Sequence, residues 1–357
     1  MRVWRSESSR LGSPEITIKE MASRDRDKIA VILAAHGEAE TTRFMENFRV
    51  TRQTLAHASL VIPIASSLQK TIAVTASLKK LIQSRTDAKC SPHNRITREQ
   101  VAALQCHLDL SPSSELFEFE VHAAFSASRP YVETIIEKTR CSDGQVIVSM
   151  APIDNSLSCG QLCAYLSKSR SHRDLWNVKV LSRFWDDERL SAIYCDHVFE
   201  KSPMSPTHRN EKRILLLLFH GTLVTDTKGE LPQFRTGREE TISFAERLQQ
   251  IFLRDSRNPY DRVMTAYLNH NVGGEWTKPS FEEVCSMLRD ESSVTVDLFC
   301  CGYFADGNET IRRAAVLGSL PSVSEATSIP CVNSSSAFTA YLTSRVVDAA
   351  RQIMSFR

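Results

Sequence analysis

Two stretches decide the fold: Ile29-Ala-Val-Ile-Leu-Ala-Ala-His36-Gly37 and Arg213-Ile-Leu-Leu-Leu-Leu-Phe-His220-Gly221. Each is an unbroken aliphatic run closed by a histidine and a turn-forming glycine. A strand with one wet face alternates polar and apolar residues, but a strand covered on both faces has no need to. Both runs therefore read as buried parallel strands. His220 follows His36 by 184 residues in a chain of 357, so the spacing predicts two similar α/β halves, each opening on a central strand.

Other segments extend the pattern. Residues 116–121, 145–150 and 177–181 read as further strands of the first half, and 263–268 and 294–300 as strands of the second. Helical periodicity lies between them at 130–138, 238–254, 280–288 and 309–316, with a closing helix at 336–353. Strands alternating with helices mean crossover connections and parallel sheets. The expected fold class is therefore α/β, with two similar halves, each a parallel sheet flanked by helices, around one cleft. The expected units are an N-terminal extension at 1–28 without fixed structure, a first half at 29–200, a linker at 201–212 and a second half at 213–357. The linker rests on its Pro, Ser and charge content. Residues 84–114, with Pro92 and Pro112, read as an irregular excursion.

Composition narrows the function. Forty-four Lys and Arg against 42 Asp and Glu leave a formal charge of +2, which gives no long-range pull on a polyanion, so no nucleic-acid partner is expected. Glycine is scarce at 12 residues, and neither the dinucleotide nor the P-loop glycine pattern occurs, so the standard phosphate cradles are excluded. The serine-hydrolase elbow Gly-x-Ser-x-Gly is missing as well. The ten cysteines include no Cys-x-x-Cys, and the first 20 residues hold no apolar core of a secretion signal. A reduced, cytoplasmic chain is expected. No apolar run approaches the ~20 residues that span a bilayer.

Ligands of open parallel sheets bind beyond the carboxyl ends of the strands. His36 and His220 stand there, as do the segments 152–156, 184–187, 269–271 and 302–309. Asp306 and Glu309 are spaced i and i+3, which on a helix shares one face. Two accounts of that pair stay open. It caps a helix N-terminus, or it faces His220 across a site where proton removal or divalent-metal binding takes place. Cys159-x-x-x-Cys163 has no second pair at metal spacing and reads as packing. Trp276 lies in a loop after a strand and offers a flat wall to a flat ligand.

At these residues the chain resembles the ferrochelatases, which insert ferrous iron into a porphyrin. Leu218-Phe-His220-Gly221 is similar to the family's strand ending in a catalytic His-Gly. Cys300-Cys-Gly302-Tyr-Phe-Ala-Asp306-Gly-Asn-Glu309-Thr310 resembles its Cys-Pro-Gly-Phe-x-x-Asp-x-x-Glu-Thr. Residues 267–279 resemble its Trp-bearing porphyrin loop, and Ile329-Pro-Cys331-Val-Asn333 its closing Pro-Cys-Leu-Asn. Met150-Ala-Pro152-Ile-Asp-Asn-Ser156 and Phe184-Trp-Asp186 are fainter counterparts in the first half. The ordered set covers roughly residues 29–350.

The resemblance implies a chelatase-like fold and an enzyme forming protohaem from Fe2+ and protoporphyrin IX, with coproporphyrin III as the other porphyrin. It implies His220, Glu309 and Asp306 as catalytic residues, with His220 and Glu309 on the metal. Trp276, Tyr303, His270, Ser156 and His36 would border the porphyrin. Iron enters as substrate, no cofactor is tightly bound, and no iron–sulfur cluster is expected because Cys331 is the last cysteine. A greasy substrate suits weak contact with the inner membrane, although no amphipathic basic segment stands out in the sequence. The chain is expected to be a monomer or a homodimer. Departures from the family pattern cluster at the cleft: Ala34-Ala-His36-Gly37 replaces Asn-Leu-Gly-Thr-Pro, and Leu268-Asn-His270 replaces Gln-Ser-Lys/Arg. They motivate two alternatives, a cobalt or nickel chelatase for another tetrapyrrole and a non-catalytic porphyrin or haem carrier.

Overall fold

The structure, a computed structural model, describes residues 26–59, 64–83, 90–202, 212–270, 274–291 and 293–357. The expected extension up to residue 25, the linker core at 203–211 and the loop positions 271–273 lie outside the described residues.

The first half runs β1 (Asp27–Ala35), α1 (Phe44–Ala58), α2 (Ser66–Gln83), α3 (His93–Asp109), β2 (Phe117–Phe125), α4 (Val132–Lys138), β3 (Gly144–Ser149), α5 (Cys159–Ser169), β4 (Val178–Leu181) and α6 (Glu188–Lys201). The second runs β5 (Lys212–His220), β6 (Leu223–Thr225), α7 (Arg238–Arg254), β7 (Arg262–Leu268), β8 (Glu275–Trp276), α8 (Phe281–Arg289), β9 (Val294–Phe299), α9 (Arg313–Gly318), β10 (Val323–Ile329) and α10 (Ser336–Ser355).

The first sheet has the order β2-β1-β3-β4 and the second β10-β9-β5-β7, each of four parallel strands. Leaving aside the short strands β6 and β8, both sheets place their strands in the chain order second, first, third, fourth. The likeness of the two opening runs is thus a likeness of topology. The opening strand is internal each time, with Val31 paired to Val121 and Val146, and Leu216 to Met264 and Leu298. In this strand order the connections reverse beside the opening strand, and the crevice at its carboxyl end is the place for a ligand.

The unbroken runs follow from burial on both faces. Alternate side chains point to opposite sides of a strand. Ile29, Val31 and Leu33 enter one core together with Leu215, Leu217 and Phe219 of the other sheet. Ile32 faces α4 and α5, and Ile214, Leu216 and Leu218 face α8. The shared core binds the halves together, which the runs alone did not reveal.

Two findings change the sequence reading. Residues 93–109, expected to be irregular, form helix α3, whose buried face carries Asn94, Thr97 and Gln100 beside Ile96, Leu104 and Leu108. The closing helix α10 packs on α3, β3, β4 and α6, on the first half, although it ends the second in sequence.

Candidate active site

Strand β5 delivers His220 to the carboxyl edge of the second sheet, and its neighbours deliver the rest. In parallel register His220 stands beside Leu268 at the end of β7, so His270 two residues later emerges next to it. Leu217 pairs with Phe299 at the end of β9, and the chain beyond β9 carries Tyr303 and Glu309 to the same place. The result is a close set. His270 Nε2 lies 3.1 Å from His220 Nε2, and one ligand atom from each of His220, His270 and Glu309 lies within 4.8 Å of the others. This is the one such metal-holding group among the described residues.

Neighbours fix each member. His220 Nδ1 is 2.7 Å from the carbonyl oxygen of Gly221 and donates to it, which assigns the proton to Nδ1 and leaves the Nε2 lone pair facing His270. Two imidazole nitrogens at 3.1 Å need a proton or a cation between them. The Tyr303 hydroxyl donates to Glu309 Oε2 at 2.6 Å. Burial pushes the Glu309 carboxyl up, but the facing His220 imidazole, the Tyr303 phenol and His270 outweigh it and hold it below its usual range. Glu309 is therefore a carboxylate at neutral pH. Burial, and then His220, hold His270 below the ordinary histidine value. Burial and Glu309 push the Tyr303 phenol well up, so it stays a donor.

Trp276 sits edge-on to His270, ring centroids 5.3 Å apart. It is held there because β8 pairs with β6, the short strand just after His220. Asn269 braces the same turn by donating from Nδ2 to the Thr277 carbonyl at 2.8 Å.

His36 stands just past the carboxyl end of β1, on the first sheet. Gly37 after it takes a φ of 82°, and a side chain at residue 37 would meet Phe125 Cβ at 2.6 Å, so only glycine makes this turn. His36 Nε2 lies 3.5 Å from the Thr54 hydroxyl on α1. Burial and then His93 lower its pKa, while Glu38 and Glu309 act in the opposite direction. Glu309 thus acts on His36 from the other half.

Two expected residues stand elsewhere. Asp306 does not share a face with Glu309, because α9 begins only at Arg313 and residues 308–312 form turns. Its carboxylate accepts from Asn333 Nδ2 at 2.8 Å, Thr310 Oγ1 at 3.0 Å and Cys331 N at 3.3 Å. It pins the loop and is not in the imidazole set, and the expected helix cap is not formed there. Ser156 Oγ accepts from Arg235 N at 3.1 Å and ties two loops together, outside that set. His270, placed by sequence on the ring-binding side, belongs geometrically with the metal-ligand types. The available signal was its position two residues past the end of β7, the strand that runs parallel to β5 and ends beside His220.

The ferrochelatase family model matches residues 28–350. Ferrochelatases of Neisseria meningitidis serogroups C, A and B are 22% identical over 234 residues, 64% of this chain and 63% of theirs. The match therefore spans less than two thirds of those relatives. The solved structure of SirB from Bacillus subtilis with Fe3+ aligns with 92% of this chain and 98% of its own at a TM-score of 0.51 and 12% identity, a likeness of fold.

Proposed function

The chain belongs to the ferrochelatase family as a divergent member, and on that premise we propose that it inserts ferrous iron into a porphyrin, protoporphyrin IX or coproporphyrin III, during haem formation. The observation that carries this reading is the set of two imidazoles and one carboxylate at the ends of β5, β7 and β9. Two nitrogens and one oxygen suit a borderline divalent ion such as Fe2+. Insertion exchanges two pyrrole N–H protons for one metal ion, so the site must hold a dication and accept two protons. His220 Nε2, with its lone pair exposed by the Gly221 bond, receives a proton or ligates the ion. His270 is the second nitrogen. Glu309 offsets positive charge, and its low pKa makes it a poor place to store a proton. The ring is held against Trp276 and Tyr303, with His36 on the opposite wall. Burying its apolar faces offsets the strain of bending it so that the nitrogen lone pairs turn toward the metal.

One observation favours a second reading. Two of the three donors, His220 and His270, are imidazole nitrogens, and such sites hold cobalt and nickel more tightly than iron. A cobalt or nickel chelatase for another tetrapyrrole is therefore the alternative, and a porphyrin carrier the non-catalytic one. Anaerobic incubation of the protein with protoporphyrin IX and Fe2+, Co2+, Ni2+ or Zn2+ separates them. Loss of porphyrin fluorescence with Fe2+ is the expected result. Consumption with cobalt or nickel but not iron favours the alternative. Shifted but undiminished fluorescence with every metal rejects enzyme activity.

Contact with a membrane is part of the proposal, and it rests on α2. The helix holds no acid, carries Lys70, Lys79 and Lys80, and packs only one side on α1. Leu68, Leu78 and Ile82 are 52%, 48% and 60% exposed, and Ile72, Val74 and Leu81 face solvent with them. An amphipathic helix normally buries its apolar face. This one turns that face outward, with Lys70 and Lys79 at its margins, as an interfacial helix does on an anionic bilayer. The sequence reading found no such segment because periodicity does not say which way a face points. The protein is expected to cosediment with phosphatidylglycerol vesicles and not with phosphatidylcholine alone. The Leu78→Glu/Ile82→Glu double variant should lose binding by about tenfold or more. Unchanged sedimentation of that variant would remove α2 from the contact. No helix among the described residues is long and apolar enough to cross a membrane.

A further inference from the structure

Glu309 stands on a run of turns, so nothing in its own secondary structure fixes where its carboxylate points. Three attachments act on it. Tyr303 holds the side chain. Arg313 Nε donates to its carbonyl oxygen at 3.0 Å. The backbone is held also through the preceding residue, Asn308, and that hold comes from the other half of the molecule. Glu38 Oε2 accepts from Asn308 Nδ2 at 2.6 Å and from Asn308 N at 3.1 Å, across 270 residues of sequence. The approach is close enough that a side chain at position 307 would meet Glu38 Oε1 at 3.0 Å, which glycine avoids.

Glu38 is itself firmly seated. Its backbone N–H donates to Asn94 Oδ1 at 2.8 Å, and its carbonyl accepts from Asn94 Nδ2 at 2.8 Å. Asn94 is buried on α3 and donates also to Ser128 Oγ at 3.0 Å. No lysine or arginine pairs with Glu38 among the described residues. Its carboxylate is thus committed to Asn308, two residues after His36 on one wall and one residue before Glu309 on the other.

We propose that Glu38 is a positioning residue that clasps Asn308 across the cleft and so sets the stance of Glu309 toward His220 and His270. The inference rests on the reading of that set as the metal site. A clasp of this kind acts as an outer-shell partner does on a metal ligand, and loss of such a partner typically weakens metal binding 10–100-fold. Because Glu38 and Asn308 act through one contact, removing both should do no more than removing one.

Titration of the full chain with Co2+, followed by its visible ligand-field absorption, reads metal binding without turnover. Glu38→Ala is expected to weaken Co2+ binding by about 10–100-fold and to change the band shape. Glu38→Gln keeps one accepting oxygen and should fall between that variant and the wild type. Asn308→Ala removes the 2.6 Å bond from the other side, and Glu38→Ala/Asn308→Ala should match Glu38→Ala alone. Far-UV circular dichroism checks that each variant is folded, and Glu38→Gln keeps the test alive if the alanine variant is not. Wild-type affinity and spectrum in folded Glu38 variants would overturn the clasp alone, as would strictly additive losses in the double variant. A wild-type protein that gives no Co2+ band would overturn the metal-site reading and the clasp with it.

Discussion

His220→Ala is expected to lower metal insertion by about 10³-fold or more while leaving porphyrin binding within about threefold of the wild type, since a positioned acid–base group contributes roughly 10²–10⁴-fold and a metal donor is lost with it. The selectivity follows from where the side chain stands. Residues 214–219 of β5 are buried on both faces, and truncating any of them would open a cavity. His220 is the residue that emerges from this buried run into open space, and its side-chain contacts go to the adjacent Gly221 carbonyl and to His270 within the site. Removing the imidazole therefore costs the fold little and the site its Nε2. Stopped-flow loss of porphyrin fluorescence with Fe2+ reads insertion, and fluorescence shift without metal reads binding. Insertion within about threefold of the wild type would remove His220 from the chemistry.

The same strand shows what a sequence discloses. An apolar run of six or seven residues followed by His-Gly has few structural interpretations, because both faces must be covered and the chain must then turn. β1 and β5 were legible for that reason, and His220 and Glu309 stood out because an ordered series of motifs placed them. Helix α3 was not legible. Its buried face presents Asn94 and Gln100 where a helix normally presents aliphatics, because these two side chains serve contacts between distant segments. Gln100 Nε2 donates to the carbonyls of Phe304 and Asn333, and Asn94 seats Glu38. No local signal announces partners 56 to 233 residues away. The swing of α10 onto the first half is hidden in the same way, since its apolar face is visible in sequence and its destination is not. The Asp306/Glu309 spacing misled for the opposite reason. An i, i+3 pair shares a face only if the helix exists, and here the Asn333 and Cys331 bonds to Asp306 hold the chain in turns.

Glu309→Gln is the sharper probe of how charge is divided within the set. Glutamine keeps the shape, and its carbonyl oxygen can still accept from Tyr303, so the substitution removes a charge and little else. The expected result is a fall in insertion of about 10²–10³-fold, as for loss of a preorganised electrostatic partner. A second consequence has a definite sign. In the wild type, burial and then His220 depress His270, while the Glu309 carboxylate pulls it back up. The same carboxylate acts upward on His36, which burial and His93 depress. Removing it leaves His270 only the lowering influences and takes from His36 one of its two raising ones, Glu38 being the other, so both imidazoles should titrate at lower pH in Glu309→Gln than in the wild type. The metal-free variant would then keep its nitrogens unprotonated further into acid while inserting metal more slowly. Proton NMR titration of the histidine C2–H resonances in the metal-free protein measures the first effect, and the fluorescence assay measures the second. An upward shift of the His270 titration, or insertion equal to that of the wild type, would show that the carboxylate does not act on the imidazoles from where it stands.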